Sequence, residues 1–170
     1  HLINKGEIDY VIFNSFHYIN HYDFLTQFIT SPIWAIQRGP KQRENYILVA
    51  NKRFSGFKIS QLRNTTISLH KQYLLMNFYL NYLVKKQSDQ NSKQFFKKIN
   101  YTKTASKAVL DVYFGKSDVC IVPEHIYNLT IDLNPAIKQE LAIIHQSGEK
   151  FLPVLFFNFK RNDSLVNSIV

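Results

Sequence analysis

Two stretches of this chain follow one plan. Residues 6–18 read GEIDYVIFNSFHY and residues 115–127 read GKSDVCIVPEHIY. Each runs glycine, two residues, aspartate, a mostly apolar run, then a polar step into His and Tyr. The plan has a physical reading. Gly6 and Gly115 stop a helix by taking up a backbone that side chains resist. Asp9 and Asp118 stand at the start of a strand, where a carboxylate can accept from exposed amides. The short continuous apolar run is that of a strand buried on both faces. The polar residues beyond it open a helix, with Asn14 or Ser15 as cap in the first copy and Pro123 in the first turn of the second.

Strands that alternate with helices predict an α/β chain with mainly parallel sheets. Two copies separated by a strand-rich crossover predict two lobes whose strand ends face each other across a cleft. The first lobe is expected over residues 1–50 plus 150–170, and the second over 51–149. Hinge strands are expected near 46–52 and 150–158. The opening residues, HLINKGEID, are neither a Met start nor a signal peptide, so the chain reads as a processed or excised piece.

Between the copies, YILVANK and TTISL read as strands and KISQLRN as a short helical turn. HKQYLLMNFYLNYLVKK reads as the longest helix, with Leu75, Phe78, Tyr79 and Tyr82 on one face. QSDQNSKQ reads as a polar loop and FFKKINY as a strand. In TASKAVLDVYFG, the positions Ala105, Ala108, Val109, Val112 and Tyr113 share a helix face. Asn134-Pro135 restarts or kinks the helix after VCIV, and FLPVLFFNF is a final strand.

Composition narrows the functions. Hydrophobic residues make up 45% and charged residues 19%, which is a globular and not a disordered balance. No apolar run approaches the ~20 residues of a membrane span. The single cysteine, Cys120, excludes an internal disulfide and a Cys-rich zinc site, and its VCIV setting reads as core. The net charge of +9 favours an anionic partner. The basic residues come mostly as pairs at the ends of apolar runs, as solvated lysines do, so no nucleic acid is expected. There is no Walker loop and no GxGxxG, and no cofactor is expected.

Candidate ligand positions lie where strands end and helices begin, the usual place in open α/β sheets. They are Asn14, Ser15, Tyr18, His70, Lys71, Gln72, Tyr73, Pro123 and Glu124. Free N–H groups and the helix dipole make such ends receptive to anions and carbonyls. Lys71 adds a point charge.

These residues also carry a family resemblance. KTASKAVLDVYFGKSDVCIVPEHIYNLTIDLNPAIKQELAIIHQS resembles the second lobe of a type II periplasmic solute-binding protein. The run AVLDVYFGKSDVCIV, then LNP and LAIIHQS, is similar to the phosphate/phosphite/phosphonate-binding branch of ABC-transporter receptors. INKGEIDYVIFNSFHYI resembles the first-lobe segment that ends in a tyrosine, here Tyr18. YILVANKRFSGFKISQLRNTTISL resembles the crossover strand and the start of lobe two. The similarity runs from about Leu2 to about Phe159, and it implies an incomplete first lobe, since members of that family begin with a further strand and helix and end with a further helix.

The resemblance implies a non-catalytic, extracytoplasmic or periplasmic binder of a small anionic or polar solute. It would work with an ABC-transporter permease or as the sensor part of a signalling membrane protein. The family's phosphonate binders place small hydroxyl residues where this chain has His70-Lys71-Gln72-Tyr73. They place a histidine where it has Thr104-Ala105-Ser106, and a carboxylate where FLPVLFF has none. Two other readings remain at this point. An enzyme on the same scaffold would use Glu124, His125 and His70 as acid/base groups. His17 and His21, four apart with Asp23 near, have zinc-like spacing without a third ligand or an HExxH glutamate.

Overall fold

The computed structural model describes residues 8, 10–28, 34–35, 43–148 and 154–158. The chain divides into two compact units, His1–Glu44 with Glu149–Val170, and Asn45–Gly148. Gly6 and Asp9 lie outside the described residues, so the first copy of the doubled plan is seen only from its strand onward.

In the first unit, strand β1 (Tyr10–Asn14) leads directly into helix α1 (Ser15–Asn20), as its apolar run and polar exit predict. The expected single helix over SFHYINHYDFL breaks at His21, and α2 (Tyr22–Leu25) follows. Strand β2 is Trp34–Ala35 and strand β8, last among the described residues, is Val154–Asn158. β8 lies between β1 and β2 and runs antiparallel to both, with Tyr10 opposite Asn158 and Trp34 opposite Phe156. This small sheet is therefore antiparallel, where sequence had suggested parallel pairing. Leu25 is buried among Ile8, Val11, Phe13, Tyr18 and Phe28.

The second unit is built on five strands, β3 (Tyr46–Asn51), β4 (Thr66–His70), β5 (Lys98–Thr102), β6 (Val119–Pro123) and β7 (Leu141–Gln146). Their order across the sheet is β5-β4-β6-β3-β7. β4 pairs in parallel with β5 and β6, whereas β3 runs antiparallel to β6 and β7. Four strands thus share one direction and β3 opposes them. Residues 46–50 belong to the second unit, as a completely buried strand paired on both sides.

Helices cover both faces. One carries α5 (Ala105–Tyr113), α6 (Glu124–Leu133) and α7 (Ala136–Glu140), packed on Ile47, Val49, Cys120 and Val122. Asn134-Pro135 separates α6 from α7, as a residue without an amide hydrogen requires. The other face carries α3 (Leu74–Gln87), whose Tyr79 ring meets Tyr46 at 6.2 Å between centroids. The inward stripe of α3 is Met76, Tyr79, Leu80, Leu83 and Val84. Only Tyr79 of the expected face is among them; Phe78 and Tyr82 are more than half exposed. Both stripes of this helix are apolar, so periodicity could not set its phase. The segment expected as a polar loop contains a short helix, α4 (Ser92–Phe95), held by an Asn91–Gln94 capping box.

The second copy of the doubled plan is fully described. Gly115 has φ +71° and ends α5. Asp118 stands before β6, and its Oδ2 accepts from the amide and hydroxyl of Thr66, each at 2.8 Å. That carboxylate joins the starts of two neighbouring parallel strands, and Arg53 pairs with its other oxygen.

Candidate functional site

Because β4, β5 and β6 are parallel, their carboxyl ends fall along one edge of the sheet. His70, Thr102 and Pro123 are the last residues, and each strand hands over to a helix. β3 runs the other way, so its start at Tyr46, opposite Pro123, joins the same edge. The amide of Glu124 donates to Asn45 O at 2.8 Å. Ser147, just after β7, accepts from the Tyr46 amide at 2.8 Å and donates to Asn45 Oδ1 at 3.0 Å. Asn45 and Ser147 were not singled out from sequence, since neither residue type at those positions distinguishes an edge from an ordinary turn.

The three helix starts along this edge differ in a way that matters for a ligand. α5 is capped by its own residue: Thr104 Oγ1 accepts from the Lys107 amide at 3.2 Å. α3 and α6 have Tyr73 and Pro123 at the capping position and no side-chain cap bond. The first amides of a helix need acceptors, and a start without a side-chain cap leaves that role to the backbone, water or a solute.

The turn His70-Lys71-Gln72-Tyr73 before α3 is the most developed part of the edge. His70 is 9% exposed, and its Nδ1 lies 3.1 Å from Thr102 O. A carbonyl can only accept, so Nδ1 is the donor in this contact. The Tyr73 ring meets His70 edge-on at 5.2 Å and packs against the core beneath α5. Lys71 and Gln72 are exposed. Asn77, one turn into α3, donates from Nδ2 to the carbonyls of His70 (3.4 Å) and Lys71 (3.3 Å). Its Oδ1 is buried without a hydrogen-bond partner. Asn77 was missed because a polar residue in a long helix carries no sequence signal of what it anchors.

The sequence-selected residues therefore separate by unit. His70, Lys71, Gln72, Tyr73, Pro123 and Glu124 all belong to the edge of the second unit. Asn14 and Ser15 are at the β1–α1 junction of the first unit, and their side chains lie outside the described residues. Tyr18 is half-buried on α1, edge-on to Tyr22 at 5.6 Å, and burial followed by Tyr22 pushes its hydroxyl pKa up. Packing accounts for its position without a ligand.

The remaining candidates are structural or exposed. Cys120 is completely buried, and burial, with Asp111 nearby, drives its thiol pKa far above the ordinary range. Such a thiol is inert as a nucleophile. His17 and His21 are exposed, and among the described residues no three His, Cys, Asp or Glu converge as a metal site would need. Also among the described residues, no helix is long and apolar enough to cross a membrane.

Comparison with known proteins agrees with this architecture. XAC2383 from Xanthomonas citri, solved bound to ATP, superposes with a TM-score of 0.66 at 15% identity, covering 98% of this chain and 63% of that one. PhnD1 from Prochlorococcus marinus, solved with methylphosphonate, gives 0.59 at 13%, covering 97% and 61%. A binding-protein component of an ABC phosphonate transporter from Pseudomonas aeruginosa gives 0.59 at 14%, covering 99% and 56%. The chain thus spans roughly three fifths of the length of these structures, and at such identities they establish the fold alone. No curated protein sequence matches the chain. The profile of the periplasmic substrate-binding proteins of phosphonate ABC transporters matches residues 1–169. A match over nearly every residue, on a fold with strand ends gathered at one edge, identifies the chain as a member of that periplasmic binding-protein family.

Proposed function

We propose that the chain binds a small anionic or polar solute without transforming it, as the receptor component that serves an ABC-transporter permease. The observation that carries this reading is the shared strand-end edge, where α3 and α6 begin without side-chain caps. On this reading, solute oxygens approach the positive ends of these two helices and Lys71 supplies countercharge. Tyr73 and His70 form an aromatic wall, and Gln72, Pro123 and Glu124 shape the rim. The unpartnered Oδ1 of Asn77 favours a solute that also brings an N–H or O–H donor. Two of the compared structures hold molecules with phosphoryl oxygens, ATP and methylphosphonate.

Thermal shift against phosphate, methylphosphonate, sulfate, aminoethylphosphonate and arginine tests this. At a hundredfold excess over Kd, a bound solute adds about 2.7 kcal/mol. For a chain of this size that is a rise in melting temperature of roughly 5–10 °C. A saturable rise for one member, abolished in Lys71→Ala/Tyr73→Ala, is expected. A rise unaffected by that double substitution places the solute elsewhere and refutes the assignment of the edge.

A further inference from the structure

The chain's positive charge is concentrated far more than its scattered lysine pairs suggest. Between residues 85 and 103 there are six lysines (Lys85, Lys86, Lys93, Lys97, Lys98, Lys103) against one acid, Asp89, a net of five out of the chain's nine. Its part from Lys93 to Lys103, with four of the lysines and no acid, lies at one margin of the second unit's sheet. β5 pairs with β4 on one side and, among the described residues, with nothing on the other. Every second residue of such a strand directs its N–H and C=O outward, where a further strand could use them.

A groove of about 290 Å³ opens beside this margin, lined by Lys93, Phe96, Lys97, Lys98, Ile99 and Tyr101. Its floor is apolar: Phe96 is buried and Ile99 half-buried, while Tyr101 is 55% exposed. The three lysines on its rim are exposed, and none has an ion pair among the described residues. A second copy of β5 would bring lysines against lysines, so the charge that guards this edge from self-pairing also selects its partner.

We propose that the free edge of β5 receives an extended acidic peptide segment of a partner protein, added as a sixth strand. The peptide's backbone pairs with the outward amides and carbonyls of β5. Its carboxylates meet Lys93, Lys97 and Lys98, and alternate side chains rest on Ile99 and Tyr101. A membrane surface could use the lysines but not the strand edge. This inference is independent of the solute assignment, because the groove involves none of the residues assigned to the solute.

The test is fluorescence anisotropy of the full chain with a labelled eight-residue peptide alternating glutamate and threonine. Saturable binding that weakens with salt is expected. The same peptide N-methylated at alternate amides, which keeps its charge and loses strand pairing, is expected to bind at least tenfold more weakly. Lys93→Glu/Lys97→Glu/Lys98→Glu is expected to lose at least tenfold, its folding checked by its melting curve; the N-methylated peptide needs no variant. A lysine–threonine peptide is expected not to bind. Equal affinity for the N-methylated peptide overturns the proposal, as does binding to anionic phosphatidylglycerol vesicles without binding to the acidic peptide.

Discussion

Asp118 shows how one carboxylate can serve a fold without serving chemistry. Burial alone would raise its pKa, but the amide and hydroxyl of Thr66 and the Arg53 guanidinium outweigh burial and hold it below its ordinary value of 3.8. A depressed folded pKa means that stability is gained above the unfolded value and lost as pH falls through the folded one. Melting temperature is therefore expected to fall on acidification below about pH 4, with Asp118 contributing to that loss. In Asp118→Ala this contribution is absent at all pH values. The Thr66 amide loses its acceptor, and about 1–3 kcal/mol of stability at neutral pH goes with it. Unchanged stability in denaturant titration of Asp118→Ala would contradict the role assigned to this residue. Its location was legible from sequence, because the Gly-x-x-Asp spacing places a carboxylate at a strand start. Its partners, Thr66 and Arg53, were not, since a contact across 52 or 65 residues leaves no local trace.

The two sides of α3 make the matching case for an element. Its inward and outward stripes are both apolar, and burial separates them where sequence does not. Met76 is fully buried, so Met76→Ala is expected to cost about 2–5 kcal/mol. Tyr82 is 52% exposed and stacks on Tyr79 at 6.1 Å, so Tyr82→Ala is expected to cost less than about 1.5 kcal/mol. Urea unfolding of the two variants checks the order, and a reversal would mean the helix is phased as its sequence alone suggested. α5 was read correctly because its outer face is polar: Ala105, Ala108, Val109 and Val112 are all buried, and Ser106 and Lys107 are not. The same logic covers the candidate site. The turn His70–Tyr73 stood out because it joins a strand to a helix. Asn77 acts on carbonyls six and seven residues before it and Ser147 on an amide 101 residues away, and neither stood out.

For the second unit as a whole, strand order decides which parts resist opening. β6 and β3 are interior to the sheet and almost wholly buried, whereas β5 and β7 have a neighbour on one side only among the described residues. Amide hydrogen exchange is expected to be slowest at residues 47–50 and 119–122 and markedly faster across β5 and β7. Equal protection of β5 and β6 would contradict that order. The strand-by-strand α/β plan was legible because buried strands write themselves as apolar runs. The reversed direction of β3 was not, because an apolar run looks the same read either way. That reversal has a consequence for how the chain is made. β3 leaves the ribosome before any strand it pairs with, and the Tyr46–Ser147 contact that closes its far side spans 101 residues. The β4-α3-β5-α5-β6 succession can assemble in order of synthesis, but β3 stays unpaired until β6 arrives and half-paired until β7 does. A strand of the sheet's buried centre is thus among the first synthesised and the last to be closed in on both sides.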